Sequence, residues 1–257
     1  MPGDFNKNRY LGFFILLFFV VFNNCEKIEE APFKGTIFLD PDIIADSDPS
    51  TFESLYYKGQ GLRTMFDRRV DDWIKTDAYL FPAKYEDGLN IEIQVNPEFQ
   101  NPEIAQIYAE KFAEAIGRLS TELRKNVETV WIHRGMQLFG GGNNNILIHT
   151  DYSEAHYEKQ GILEEVLVHE ASHTSLDKQH SKNGDWLLAQ KKDKNFISEY
   201  AQKNPNREDI AESYLTYLAI RYRPERISDS LKTIIENTIP NRIKYFDNQS
   251  FNMHPIE

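Results

Sequence analysis

The sequence predicts an α+β fold: a mixed sheet with one helix above it and a helical C-terminal lobe below. Three stretches carry that reading. LNIEIQVNP, residues 89–97, alternates apolar and polar side chains and stops at Pro97, as a half-buried strand does. NPEIAQIYAEKFAEAIGRLSTELRK, residues 101–125, spaces Ile104, Ile107, Tyr108, Phe112, Ile116, Leu119 and Leu123 as one helical face, with Pro102 at its start. NPNREDIAESYLTYLAIRYRPER, residues 204–226, is a second strong helix, bounded by Pro205 and Pro224.

The remaining elements follow in order. GTIFLD, residues 35–40, reads as a strand that opens the domain, and the segment from there to about residue 100 is mixed. VETVWIHRG reads as a strand, FGGGNNN as a glycine-rich turn, and ILIHT as another strand. Gly140 to Gly142 lack the G-K-[ST] or strand-to-helix context of a nucleotide loop. A helix of about 16 residues then starts at Ile162 and is broken at KNGDW. A sheet-containing lobe to about residue 180 and a helical lobe over 181–257 are expected within one domain, 36–257.

The first residues stand outside that domain. Lys7 and Arg9 precede an unbroken apolar run from Leu11 to Phe22. At about 12 residues it is too short for the ~20 that span a bilayer, and it reads as the core of an export signal. The lone cysteine, Cys25, follows three residues later, a placement that resembles a bacterial lipoprotein signal, although Asn23 and Asn24 replace the usual small residues. The expectation is a signal peptide over 1–24, a lipidated tether over 25–35, and a domain in the bacterial cell envelope, facing periplasm or exterior. A lone cysteine excludes an intramolecular disulfide and a cysteine-based metal site. The net charge of -11 argues against nucleic acid as a partner, because phosphate binding needs a basic face.

The chemistry concentrates in VLVHEASHTSLDKQH, residues 166–180. On a helix, His169 and His173 stand one turn apart on one face and can address a single metal ion, while Glu170 borders the same cleft. Asp177 lies eight residues beyond His169, about 12 Å along a continuous helix, and His180 lies farther, so neither reaches that ion readily. A solvated helix end or an outer contact is the role expected of each. Farther along, Glu208 and Glu212 fall inside an apolar arc with Ala211, Leu215, Leu218, Ala219 and Tyr222. Carboxylates on a buried stripe are costly unless a cation compensates them. One of the two would bind the metal and the other accept a hydrogen bond from a ligating imidazole.

HEASH followed by YAQKNPNREDIAES is similar to the gluzincin metallopeptidases, and most closely resembles the catalytic-domain family of anthrax lethal factor. The resemblance covers roughly residues 130–222 at motif level. It implies a zincin-like fold, zinc on His169, His173 and Glu208, Glu170 as general base, Glu212 behind the ligands, and Tyr200 beside the reacting water. Tyr200 stands eight residues before Glu208 where the family has seven, and Ile210 replaces its phenylalanine. In such proteins the strand before the active helix, here Asn144 to Thr150, forms the cleft rim on which a peptide adds. His133, His149, His156 and His254 are expected to be structural or surface residues.

The resulting expectation is an exported zinc metallopeptidase acting on a peptide or protein substrate and tethered to a membrane through Cys25. The competing expectation is a noncatalytic zinc-binding surface lipoprotein of the same fold. Glu170 favours the enzyme, since a structural zinc site needs no general base.

Overall fold

The computed structural model describes residues 30–193 and 195–256; the segment expected to be a signal peptide, and Cys25, lie outside the described residues. It is an α+β protein built on one mixed seven-stranded sheet. Its strands are Phe52–Leu55 (β1), Gly59–Asp67 (β2), Asp72–Tyr85 (β3), Asn90–Val95 (β4), Thr129–His133 (β5), Gly140–Gly142 (β6) and Asn145–His149 (β7). The order is β1-β3-β4-β5-β7-β6, with β2 also paired to β3. β4, β5 and β7 run parallel, and the hairpin partners β3 and β6 run antiparallel to them.

Pro102–Gly117 (α1) crosses from β4 to β5, and Thr121–Arg124 (α2) follows after a break in which Ser120 caps the new helix. The expected long helix is therefore two, because the Ser120 side chain accepts from the Leu123 N–H and ends the continuous ladder. Thr150–Tyr152 (α3) leads into a π turn at Ser153–Tyr157, and Leu163–Ser175 (α4) lies across the sheet. Asp177–His180 (α5), Gly184–Asp193 (α6), Glu199–Lys203 (α7), Asp209–Tyr222 (α8), Asp229–Thr238 (α9) and Pro240–Asp247 (α10) complete the chain. Among the described residues no helix is long and apolar enough to cross a membrane.

GTIFLD is not a strand. Ile37 and Leu39 are buried, but the Ile37 N–H donates to Glu212 Oε2 at 2.8 Å instead of to a neighbouring strand. Its alternation records burial against the C-terminal helices and not sheet pairing. β1, β2 and β3 were not legible as separate strands. β3 even contains Pro82, which is tolerated because the β1 ladder begins at Ala83 and the β2 ladder ends at Leu80, so no neighbour needs its missing N–H.

Beyond the sheet, α2, α4, α8 and α10 share one continuous apolar core with it. Its C-terminal part is held by a buried ion network. Arg242, fully buried, pairs with Asp193 at 3.0 Å and with Asp209 at 2.9 Å, fixing the first turn of α8.

The triple glycine is not a turn but the edge strand β6, and Asn145–His149 lies one strand inside it. The rim of the sheet beside α4 is thus glycine. The reason is contact: a Cβ on Gly141 would stand 1.9 Å from the Glu170 carbonyl oxygen. Thr174 completes the seam, its hydroxyl donating to the Asn145 carbonyl and accepting from the Gly142 N–H, both at 2.8 Å. Gly141→Ala forces backbone apart and should destabilise the protein by about 2–3 kcal/mol in urea unfolding. Gly184→Ala, where a Cβ meets nothing within 4 Å, should stay within about 0.5 kcal/mol.

Candidate metal centre

α4 presents His169 and His173 from one face, as its periodicity requires, and buries almost every other residue, so its position is fixed on all sides. Opposite it, the chain turns at residues 204–207 and enters α8. Glu208 is the cap residue before that helix, not part of it, and Glu212 sits in its first turn. The helix expected from Pro205 therefore starts at Asp209.

The packing of α4 on α8 brings three donor atoms together. His169 Nε2 and His173 Nε2 are 3.2 Å apart, and Glu208 Oε2 is 3.5 Å from the first and 3.2 Å from the second. Ligands bonded at about 2.0–2.1 Å around a tetrahedral ion stand roughly 3.3 Å from one another. The three atoms already have the edge lengths of such a shell, and together they can hold a metal ion.

Each ligand is oriented by a partner behind it. His173 Nδ1 donates to Asp177 Oδ2 at 2.8 Å, which turns its Nε2 lone pair towards the site. Asp177, out of reach as a ligand, serves as the outer contact instead. His169 Nδ1 faces Glu212 Oε1 at 3.4 Å, while the other Glu212 oxygen accepts the Ile37 N–H. Glu208 Oε1 accepts from the Tyr200 hydroxyl at 3.0 Å and lies 3.0 Å from Arg207 Nε. One carboxylate oxygen is thereby occupied, and Oε2 is left to the site.

The charges agree with this arrangement. Burial pushes the His173 pKa down, but the Asp177 and Glu208 carboxylates more than reverse it and raise it to about 10. Burial pushes Glu208 up, and the two imidazoles outweigh this and hold it well below the usual carboxylate range. Burial, with the Glu208 charge beside it, raises Glu212 against the opposing pull of His169 and the Ile37 N–H. Tyr200 is raised by burial and by the neighbouring Glu208.

A cavity of about 350 Å³ opens on the trio, and Glu170 lines it beside them. Its other walls include Phe38, Leu138, Phe139, Tyr157, Tyr200 and Arg68. His180 does not belong to it: its ring is buried and bonded to the Tyr245 hydroxyl at 2.7 Å. His149 donates from Nδ1 to the Arg134 carbonyl at 2.9 Å and stacks on His133, which accepts from the Asn96 amide at 3.0 Å. Sequence reasoning missed Arg207 and Arg68. Arg207 carried a usable signal, adjacency to Glu208, whereas Arg68 lies far in the chain from the metal-centre residues, with His169 the first of them more than a hundred residues later.

No family model, curated protein or solved structure matches the chain.

Asp177→Ala removes the bond that aims His173 and should weaken divalent metal binding about 10–100-fold by calorimetric titration, with the fold retained. A second outcome concerns acid. Burial lowers the His133 pKa from its ordinary 6.5 to about 4, so between those values the unfolded chain takes up a proton that the folded protein refuses. Its stabilising share is intact above about pH 6.5 and disappears as pH falls towards 4. His133→Gln should flatten the loss of urea stability across that window.

Proposed function

We propose that this protein is an exported zinc metallopeptidase of the zincin-like class. The observation that carries the reading is the coincidence of three buried donors at tetrahedral spacing with a glutamate, Glu170, in the same open cavity. Two imidazoles and one carboxylate are the donor set that suits zinc, which on binding would displace the proton that His173 holds without it. When bound there, zinc would polarise a carbonyl and acidify water, the chemistry of metal-assisted hydrolysis.

The chain's own residues supply the remainder. Glu170, adjacent to His169 and facing the cavity, takes the proton from the attacking water and delivers it to the departing amine. The Tyr200 hydroxyl lines the cavity and donates its one proton to Glu208 Oε1; by releasing that bond it can donate instead to the oxygen that gains charge as the carbonyl is attacked. Asp177 keeps the His173 imidazole in one tautomer and orientation, and the Glu212 carboxylate faces His169 Nδ1 at 3.4 Å. Phe38, Leu138 and Phe139 give the cleft apolar walls suited to peptide side chains.

The same reading places the protein at a membrane. Thr36, whose side chain lines the cavity, follows Cys25 by roughly 11 residues, so a lipid on Cys25 keeps the cleft within about 40 Å of the bilayer. Membrane-proximal or envelope proteins are the substrates such a tether favours. The acidic chain offers no basic face to nucleic acid.

Glu170→Gln should abolish peptide hydrolysis while the protein keeps about one zinc per chain, measured by a fluorogenic peptide library and by metal analysis. Retained hydrolysis would remove Glu170 from the mechanism. Glu208→Ala should cut zinc affinity at least about 100-fold, and an unchanged affinity would remove Glu208 as a ligand.

A further inference from the structure

Arg68 follows β2 at the turn into β3, with its side chain against the glycine strand β6. Its exposed side chain lines the metal-centre cavity together with Glu170 and Gly141. It also lines a second cavity of about 260 Å³, with Phe66, Trp73, Trp131 and Leu147, on the opposite face of the sheet. A Cβ on Gly140 would stand 2.7 Å from its guanidinium, so the side chain lies against the edge strand itself. Arg68 and Gly141 border both cavities, which makes one groove running around the β6 edge.

The adjacent carboxylate that would ordinarily neutralise Arg68 is already taken. Asp67 is bound through both oxygens by Arg69, at 2.9 and 2.6 Å, and the remaining amine of Arg69 holds Glu98 at 2.6 Å. Among the described residues Arg68 has no ion pair of its own. In a chain of net charge -11, a guanidinium left free over the groove is conspicuous by its chemistry. It presents a planar fork that matches a carboxylate.

We propose that Arg68 is a specificity-determining residue that binds a substrate carboxylate, an acidic side chain or a free C-terminus, where the peptide passes the β6 edge. The proposal rests on the peptidase reading of the metal centre for its catalytic consequence, but carboxylate binding itself does not require turnover.

The experiment compares the zinc-loaded protein with R68A and R68E on a positional-scanning decapeptide library, made both with free C-termini and amidated. In parallel, binding of the same peptides is measured on the Glu170→Gln protein with and without each Arg68 substitution. The expected result is an acidic preference that R68A reduces about tenfold in kcat/KM and that R68E reverses towards lysine or arginine. A charge reversal of preference is a readout that a merely structural role would not produce. Loss confined to the free-acid library assigns the C-terminal carboxylate, and loss that persists after amidation assigns an acidic side chain. Cleavage without acidic preference, or with one that R68A leaves unchanged, overturns the proposal while the peptidase stands. If no peptide is cleaved yet acidic peptides bind in an Arg68-dependent way, the carboxylate site stands and the peptidase reading falls. Absence of both cleavage and Arg68-dependent binding overturns both.

Discussion

The structure depends on how two glutamates at the start of α8 are compensated. Glu208 and Glu212 are 1% and 0% exposed, and an isolated carboxylate at such depth would be neutralised or expelled. Here they meet His169 and His173 on α4, so the contact between the two helices is held together at the site itself. Packing elsewhere in the core sets where these helices cross. The charges decide that the crossing occurs with this face inward.

Several remote elements serve that contact. The segment from Phe33 to Ile37 runs past the back of the site, where the Ile37 N–H occupies Glu212 and the Glu199 N–H bonds to the Phe33 carbonyl. Arg242 bridges Asp193 and Asp209 beside Glu208 and fixes the entry into α8. On the other side, the glycine strand lies so close to α4 that its backbone, not a side chain, forms the wall. Each is a case in which a polar or steric demand at the site is met by a segment distant in the chain.

The readable and unreadable parts of the fold separate along a physical line. α1 was legible because it buries one face and the burial repeats with helical period, whereas α4 and α8, buried on nearly every side, were legible from their length and the breaks that bound them. β4 was legible from its alternation of apolar and polar residues, and β7 as a short apolar run that is buried along its whole length. The first six residues of β2 and of β3 alternate only between partly and fully exposed positions, so no apolar face announces them. GTIFLD failed in the opposite way, since it alternates in burial without pairing. FGGGNNN failed because glycine marks close backbone approach as readily as it marks a turn.

By itself the sequence determined the pairing of His169 with His173 and the placing of Glu170 beside them, because helix geometry relates residues four and one apart without reference to anything else. It also narrowed the third donor to two buried carboxylates. The tertiary structure decided between them: Glu208, held at the helix cap by Tyr200 and Arg207, points an oxygen at both imidazoles, and Glu212 stands behind His169. It decided as well that Asp177 aims His173 and that Arg68 reaches the cleft. Those outcomes depend on where separate elements cross, and local periodicity carries no information about a crossing between segments that are far apart in the chain.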